Sequence, residues 1–222
     1  MKKKTVKTSD GSLTLFDEVY HESFHSNHGA LQEAMHVFIR EGLFYRANDI
    51  NELSILEVGF GTGLNALLTL SHAEKLKKQI HYQAIEAHPL EWSLVKSLDY
   101  DTLSGVQSRI FQHMHTCDWG HSVEINSWFN LKKLHTKLQD FSATNTFDLI
   151  YFDAFSPTHQ PELWTEDIFK KMYKALKPSG VLVTYCAKGS VKRAIKSVGF
   201  ELYSLPGPPG KREMTRAVKL AE

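Results

Sequence analysis

Three glycines at alternate positions stand in the run Glu57–Val58–Gly59–Phe60–Gly61–Thr62–Gly63–Leu64–Asn65. The apolar residues before the run predict a buried strand over 54–58, and the pattern after it predicts a helix from residue 64 to about 75. Glycine lets the backbone approach a ligand closely, and the first amides of a following helix point at that ligand. A tight turn that binds nothing is the alternative interpretation. The candidate ligand contacts in this run are Glu57, Gly59, Phe60, Gly61, Gly63 and Asn65.

The spacing of these glycines separates several classes of ligand. Dinucleotide folds use G-x-G-x-x-G and phosphate loops end in Gly-Lys-Ser/Thr, and the run contains neither pattern, which disfavours a nicotinamide oxidoreductase. G-x-G-x-G after an acidic strand residue instead resembles the first motif of class I S-adenosylmethionine-dependent methyltransferases. In that family an acidic residue at the end of the second strand holds the ribose hydroxyls. Glu86 occupies that place, at the end of a predicted strand over 80–86, and its two oxygens can accept both hydroxyl protons.

A second group of candidate residues begins at Asp153, directly after the apolar run 147–152. Ligands in open α/β sheets bind outside the carboxyl ends of the strands, so Asp153 is expected to face the transferred methyl group. Phe155 and Trp164 could stack on a nucleic-acid base. The alternatives are that Asp153 caps a turn and that the aromatic side chains belong to the core.

The charge of the chain is close to balanced overall, at +1, but it is unevenly distributed. From residue 170 onward there are twelve Lys and Arg residues against three Glu residues, a net charge of +9. Such an excess suggests a polyanionic partner, because Lys and Arg supply most non-specific affinity for nucleic acids. Exposed lysines that keep helices solvated are the alternative explanation.

Strands alternate with helices along most of the chain, which predicts a doubly wound α/β domain with a mostly parallel sheet. Further helices are expected after Pro89, with the proline in the first turn, and over 165–176 and 191–198. The last two strands are joined by a short Gly- and Pro-rich turn and should pair as an antiparallel hairpin. The seven predicted strands are 54–58, 80–86, 131–138, 147–152, 181–185, 200–204 and 215–220.

Residues 1–50 lie outside this alternation, and residues 51–222 are expected to form the methyltransferase domain. The N-terminal part contains a possible hairpin near Gly11 and a helical pattern over 29–40. We expect it to be an extension packed over the carboxyl edge of the sheet.

The order of many short segments resembles the methyltransferase half of the bacterial MnmC enzymes and their free-standing MnmD relatives. The resemblance covers nearly the whole chain. The segments that carry it, besides the glycine run, are Thr8–Ser9–Asp10–Gly11–Ser12, Asp17–Glu18–Val19–Tyr20, Phe24–His25–Ser26–Asn27–His28–Gly29–Ala30–Leu31–Gln32–Glu33, Val37–Phe38–Ile39, Asp153–Ala154–Phe155–Ser156–Pro157, Pro161–Glu162–Leu163–Trp164, Val191–Lys192–Arg193, Gly199–Phe200 and Gly210–Lys211–Arg212–Glu213–Met214.

This resemblance implies a Rossmann-like fold, S-adenosyl-L-methionine as cofactor and tRNA as partner. The implied reaction methylates the amino group of 5-aminomethyl-2-thiouridine at the wobble position, giving 5-methylaminomethyl-2-thiouridine. Larger members add an FAD-dependent oxidase domain, and because the sequence ends at Glu222 we expect the methyl-transfer step alone, without FAD. A separate enzyme would then supply the aminomethyl precursor. Another RNA nucleoside or a small amine is the alternative substrate.

Individual residues can be given roles in this reaction. Asp153 would orient the substrate amine and accept its proton. Lys137 stands where relatives often have an acidic residue near the adenine, so Asp140 is the substitute assigned to that contact. The residues expected to bind the tRNA are Phe155, Pro157, Trp164, Lys192, Arg193, Lys211 and Arg212.

Several other functions are disfavoured. The longest apolar runs are far shorter than the roughly 18 residues of a membrane span, and the N-terminus has no apolar segment of a signal peptide, so we expect a cytoplasmic protein. Cys117 and Cys186 match no disulfide or zinc pattern, and the twelve histidines form no recognisable ligand spacing, so neither a disulfide nor a metal is expected. No obligate protein partner is inferred. A non-catalytic RNA-binding module would retain the basic C-terminal part without using the glycine run.

Overall fold

A computed structural model describes residues 3–221, apart from the side chain of Asp49. Its centre is an eight-stranded sheet in the order β10-β11-β9-β8-β4-β5-β7-β6, and a separate antiparallel sheet has the order β1-β2-β3. The strands are β1 Lys3–Lys7, β2 Leu13–Asp17, β3 Glu22–Ser23, β4 Glu52–Val58, β5 Gln79–Glu86, β6 Ser122–Asn126, β7 Phe129–His135, β8 Phe147–Phe152, β9 Leu176–Thr184, β10 Glu201–Pro206 and β11 Glu213–Val218.

The central part of the sheet is parallel, and both of its edges are antiparallel. Strands β7, β5, β4, β8 and β9 run in one direction, whereas β11 pairs antiparallel with β9 and β10 pairs antiparallel with β11. This confirms the predicted C-terminal hairpin. The predicted number of seven strands was too low, because β6 pairs antiparallel with β7 at the far edge. None of the β6 residues is fully buried, so the strand lacks the apolar run by which the others were found.

The helices cover both faces of this sheet. They are α1 Ala30–Ala34, α2 Leu64–Leu76, α3 Trp92–Val95, α4 Tyr100–Ser104, α5 Ser108–Thr116, α6 Glu166–Ala175 and α7 Gly189–Ser197. A π-helix over Met35–Phe44 continues α1, and 3₁₀ turns cover Ala47–Asp49, Lys96–Leu98, Leu138–Asp140 and Pro161–Leu163. Within residues 3–221, each helix is too short or too polar to cross a lipid bilayer.

Two cores, one on each face, hold the sheet and helices together. Strand β8 is buried along its whole length, and from Leu149 to Phe152 its side chains alternate between the two cores. Leu149 and Tyr151 pack with α2 and the π-helix, whereas Ile150 and Phe152 pack with α6 and α7. The predicted α/β architecture with a doubly covered sheet is therefore confirmed.

Many element boundaries differ from the predictions by a few residues; the strand predicted over 131–138, for example, covers Phe129–His135. Three further differences have a structural reason. The helix predicted after Pro89 begins at Trp92. Its N-cap residue is Glu91, so the proline lies before the helix and not in its first turn. The helix predicted over 29–40 extends to Phe44 because the chain changes to π-helical hydrogen bonding at Met35. Strand β9 begins at Leu176, not at 181, and its pairing with β8 shifts register beside Phe147, so the Pro- and Gly-containing segment bulges within the strand.

Candidate active site

A cavity of about 310 Å³ opens at the carboxyl ends of β4, β5 and β8. This is the edge of an open α/β sheet at which ligands bind, and the volume falls within the usual range for small-molecule sites. Part of its wall comes from the N-terminal segment, including Tyr20, Glu22, Phe24, His25 and Glu33. The N-terminal segment therefore contributes directly to the site, as an extension over the carboxyl edge of the sheet would.

The glycine loop between β4 and α2 forms one side of the cavity. Gly59 has a φ of +88°, and a Cβ atom there would lie 2.9 Å from the carbonyl oxygen of Asp153, so the loop and the end of β8 can approach only without a side chain. The amide of Gly61, whose φ is +48°, donates to Glu86 Oε2 over 2.9 Å. The backbone of the loop thus lines the cavity at the start of α2.

Glu86 lies at the end of β5 with its carboxylate fixed in orientation. Oε2 accepts the hydrogen bond from Gly61, and Oε1 accepts one from the amide of His88 over 2.8 Å. Each oxygen retains a further lone pair, and the residue lines the cavity. A carboxylate held in this way can accept hydrogen bonds from two vicinal hydroxyl groups of a ligand.

Asp153 lies at the end of β8 and also lines the cavity. Its Oδ2 accepts a hydrogen bond from Asn65 Nδ2 over 2.8 Å. Burial, which disfavours the charged form, and the nearby charge of Glu33 raise the pKa of Asp153 to about 7, although the hydrogen bond from Asn65 and the charge of Lys211 act in the opposite direction. A carboxyl group with this pKa can exchange a proton with a ligand near neutral pH.

Glu57 was expected among the cofactor contacts, but it does not line the cavity. It is 1% exposed, and neither of its carboxylate oxygens has a hydrogen-bond partner among the described residues. Burial, and then the charge of Asp153, hold the pKa of Glu57 well above its usual range. The side chain is buried because Glu57 lies in the fully buried second half of β4.

The expected basic residues divide into two pairs with different surroundings. Lys211 lines the cavity, where its Nζ lies 2.5 Å from Glu33 Oε1. Lys192 Nζ lies 2.6 Å from Glu213 Oε2, so its charge is also neutralised within the protein. Arg193 and Arg212 are exposed. Among residues 3–221, the two arginines are therefore better placed for phosphate contacts than the two lysines.

The two aromatic candidates after β8 also differ in their surroundings: one lines the cavity and the other is buried in the core. Phe155 lines the cavity, stacked on Tyr20 with ring centroids 4.8 Å apart. Trp164 is 6% exposed, donates from Nε1 to the carbonyl of Phe155 over 2.8 Å and packs against Phe152. Trp164 was a candidate for stacking on a base, but it belongs to the core, because its ring is enclosed by apolar neighbours.

Two further candidates lie outside the cavity wall. Pro157 is half-buried in the loop after β8 and does not line the cavity. Asp140, the candidate for the adenine contact, is exposed, and the cavity is instead lined by Leu138 and Thr136 from the same segment. The 3₁₀ turn at Leu138–Asp140 directs Leu138 inward and so leaves Asp140 in solvent.

Some residues of the site were not assigned a role from the sequence. Tyr185, at the end of β9, and Glu33, on α1, both line the cavity. His25 bridges the N-terminal sheet and the glycine loop, with Nδ1 2.9 Å from Thr14 Oγ1 and Nε2 3.4 Å from Thr62 Oγ1. Burial lowers the pKa of His25 to about 4, so the ring is neutral. The segment resembling MnmC that contains His25 also contains Glu33, and that is the signal by which Glu33 could have been found.

The part of the chain that is described contains neither a metal-binding cluster nor a disulfide. No cluster of three or more His, Cys, Asp or Glu side chains within residues 3–221 is arranged to hold an ion. Cys117 and Cys186 are both buried free thiols.

The site fits S-adenosyl-L-methionine. The glycine loop lines the cavity without side chains at Gly59 and Gly61, and a Cβ at Gly61 would lie 3.1 Å from the ring of Phe24, which lines the cavity as well. Glu86 provides the acceptor for ribose hydroxyls beside that loop. The loop has no lysine of the kind that binds a pyrophosphate, and S-adenosyl-L-methionine has no pyrophosphate. The backbone amides at the start of α2 can bind an anionic group such as a carboxylate.

Comparisons with known proteins agree with this assignment. The family model described as S-adenosyl-L-methionine-dependent methyltransferase matches residues 108–220. The tRNA 5-methylaminomethyl-2-thiouridine biosynthesis bifunctional protein MnmC of Cupriavidus necator is 30% identical over 215 residues, which cover 89% of this chain and 32% of that protein. The protein of the same name from Marinomonas sp. is 27% identical over 220 residues, covering 90% and 31%. The chain thus spans about a third of the length of the curated relatives it matches.

Solved structures show the same relationship. The crystal structure of MnmC2 from Aquifex aeolicus matches with a TM-score of 0.80 and 25% identity, over 100% of this chain and 72% of that one. Spermidine synthase from Thermotoga maritima, at 12% identity and a TM-score of 0.55 over 99% of this chain and 72% of that one, shares the fold. The cofactor is S-adenosyl-L-methionine. The chain belongs to the S-adenosyl-L-methionine-dependent methyltransferase family, and within it to the MnmC methyltransferase type.

Proposed function

We propose that this protein methylates the amino group of 5-aminomethyl-2-thiouridine at the wobble position of tRNA. The observation that carries the proposal is Asp153, a carboxyl group with a pKa of about 7 in the same cavity as the glycine loop and Glu86. The names of the MnmC relatives support the choice of nucleoside.

The reaction requires a neutral amine held in line with an electrophilic carbon. A primary alkylamine has a pKa near that of lysine, about 10.4, and is therefore mostly protonated at neutral pH. Bound S-adenosyl-L-methionine supplies the electrophilic methyl group. Asp153 orients the amine and accepts its proton, while Phe155 and Tyr20 provide an apolar wall that disfavours the charged ammonium.

Charges outside the cavity support tRNA as the partner. The exposed Arg193 on α7 and Arg212 in the loop before β11 present two cations at the surface of the described part of the chain. Arginine side chains bind phosphate oxygens in a bidentate manner, and such contacts position a nucleic acid without reading its sequence. Lys192 and Lys211 have a different role, because carboxylates already neutralise them.

Transfer of a radiolabelled methyl group into tRNA tests the proposal. The substrates are bulk tRNA from a strain that lacks this final methylation, fully modified tRNA, and the free nucleosides digested from the first sample. We expect label in the undermethylated tRNA alone. Label in the free nucleosides at the same rate would instead support a small-amine methyltransferase. Cofactor binding by calorimetry without label in any sample would show that the substrate is a different one.

A further inference from the structure

An ion pair in the cavity wall is formed by two residues that lie far apart in the sequence. Glu33 comes from α1 and Lys211 from the loop that joins the two strands of the C-terminal hairpin, and their charged atoms lie 2.5 Å apart. The Glu33 side chain is 7% exposed, and its second oxygen accepts a hydrogen bond from the amide of Ser26 over 2.7 Å. The glutamate is therefore buried and held from two sides, whereas the lysine side chain remains 31% exposed.

Lys211 also contacts a tyrosine that holds the loop after Asp153. Its Nζ lies 3.9 Å from the centroid of the Tyr185 ring, and the Tyr185 hydroxyl donates to the carbonyl of Ala154 over 2.8 Å. These residues come from different elements, yet they meet at one wall of the cavity. Burying two opposite charges usually gains little stability, so a role in the local charge balance is the better explanation.

Acidic groups outnumber cations around Asp153. Carboxyl groups of β4, α1, β3 and β5 face this region, whereas Lys211 is the cation acting on Asp153. Lys3 also lines the cavity but lies 3.0 Å from Asp17, and His25 is neutral. The titratable groups facing Asp153 or its immediate neighbours are Glu22, Glu33, Glu57, Glu86, Tyr82, Tyr185 and Lys211.

We propose that Glu33 and Lys211 are positioning residues that act together, as a pair of opposite charges, to keep the carboxyl group of Asp153 able to take a proton from the substrate amine near neutral pH. The identity of that amine rests on the proposed function, whereas the effect of the pair on Asp153 does not. Without Lys211, the carboxylates of Glu33 and Asp153 would share one low-dielectric site and Asp153 would retain a proton. Without Glu33, the free ammonium of Lys211 would stabilise the Asp153 carboxylate and weaken it as a base.

The test follows the titration of the Asp153 carboxyl carbon by NMR, with the signal assigned from its loss in Asp153→Asn. The variants are Glu33→Gln, Lys211→Met and the double variant. Glu41→Gln is a matched control, because Glu41 lies on the π-helix that continues α1 and pairs with Arg216 over 3.3 Å. Lys219→Met is the second control, because Lys219 bonds to the backbone and lies over a tyrosine ring, 5.0 Å from the centroid of Tyr173.

The two single substitutions should shift the titration in opposite directions. We expect Glu33→Gln to lower the Asp153 midpoint and Lys211→Met to raise it, each by on the order of one pH unit, and the double variant to return close to wild type. The acid limb of the rate of methyl transfer to undermethylated tRNA should move with the midpoint. Neither control should shift either measurement.

Outcomes for the pair and for the substrate can be told apart. Midpoints that are unchanged, or that move in the same direction in both single variants, would overturn the inference, since a purely structural role predicts no opposite shifts. Opposite shifts together with a wild-type protein that methylates no tRNA would support the charge balance and reject the proposed substrate. Opposite shifts with an unmoved rate profile would overturn the role of the pair in methyl transfer.

Discussion

Asp153 combines two properties at the residue scale, a position in the cavity and a carboxyl group that titrates close to neutral pH. An aspartate in water has a pKa near 3.9 and is a weak base at pH 7. Burial and Glu33 raise the pKa of Asp153 to about 7, which brings its proton affinity closer to that of the amine it faces in the proposed reaction. General bases work best when their pKa lies near the operating pH.

Replacing this carboxyl group should therefore remove activity and leave the cofactor bound. We expect Asp153→Asn to lower the turnover of tRNA methylation by on the order of 10²- to 10⁴-fold. In the wild type, kcat/KM should rise with pH up to about 7, as the carboxyl group loses its proton. Calorimetry with S-adenosylhomocysteine serves as the control for cofactor binding. Wild-type turnover in this variant, with the cofactor bound, would rule out the role of Asp153.

The same substitution should change stability in a pH-dependent way. Because the pKa of about 7 in the folded protein exceeds the unfolded value near 3.9, the stability contributed by the protonated form is fully present below pH 4 and lost as the pH rises to 7. Asparagine stays neutral, so we expect Asp153→Asn to melt at a higher temperature than wild type at pH 8 and at a similar temperature at pH 4. Thermal denaturation at both pH values measures this difference. A variant less stable than wild type at pH 8 would contradict it.

At the scale of elements, the glycine loop shows how a turn can hold two strand ends close together. The loop bridges β4 and α2, and its first glycine lies against the backbone at the end of β8. Strand β4 pairs directly with β8, which places Val58 beside Phe152 and so brings the loop next to Asp153. Cofactor cradle and proposed base are thus fixed by one strand pairing.

Gly59→Ala should disrupt this approach more than an alanine at another left-handed glycine. Gly105 is the matched control, because its φ is +70° and a Cβ atom there would meet nothing within 4 Å. Gly105→Ala introduces backbone strain alone, which costs roughly 1–2 kcal/mol. At Gly59 the new methyl group would also lie 2.9 Å from the carbonyl oxygen of Asp153, so we expect a larger drop in melting temperature and a loss of cofactor affinity. Equal effects at the two positions would show that close approach to β8 is unimportant.

The elements that the sequence predicted well are those with strong local signals. Strand β8 has the predicted bounds of 147–152 because all six residues are buried and all except Asp148 are apolar. Strand β6 was missed because it lies at an exposed edge, and the start of β9 was missed because its bulge contains proline and glycine, which resemble a turn. A local sequence pattern does not show that a segment forms an edge strand or a bulge, because both depend on pairing with distant strands.

The site was predictable to the extent that its residues come from motifs. Glu86, Asp153, Asn65 and the loop residues Gly59, Phe60 and Gly61 line the cavity, whereas Gly63, also a predicted cofactor contact, does not. Glu57 and Trp164 were assigned to ligands because they lie within the motifs, but the direction of their side chains places them in the core. The pairing of Glu33 with Lys211 joins residues 178 positions apart and depends on the packing of both ends of the chain, which no local pattern contains.

At the scale of the whole molecule, the excess of positive charge near the C-terminus is partly neutralised by the fold. Lys192 and Lys211 pair with glutamates, and Lys177 pairs with Asp148 over 2.8 Å. Net charge counted along the sequence therefore overstates the charge available to a polyanion. Exposed arginines such as Arg193 and Arg212 remain available.

The salt dependence of tRNA binding should show whether the two exposed arginines contact phosphate groups. Each phosphate contact that is lost reduces the slope of log K against log salt concentration by about 1. We expect Arg193→Ala and Arg212→Ala each to reduce the slope by about this amount. Lys75→Ala should not change it, because Lys75 is exposed in the last turn of α2, at the opposite end of that helix from the glycine loop. Slopes that change equally in all three variants would show non-specific charge effects.

The most direct measurement of the central claim is the mass of the nucleoside formed. Undermethylated tRNA is incubated with the wild-type protein and S-adenosyl-L-methionine carrying a trideuterated methyl group, and the digested nucleosides are analysed by mass spectrometry. The proposed function predicts that 5-aminomethyl-2-thiouridine is consumed and that 5-methylaminomethyl-2-thiouridine appears with one deuterated methyl group. Unchanged 5-aminomethyl-2-thiouridine, or a label in any other nucleoside, would contradict it.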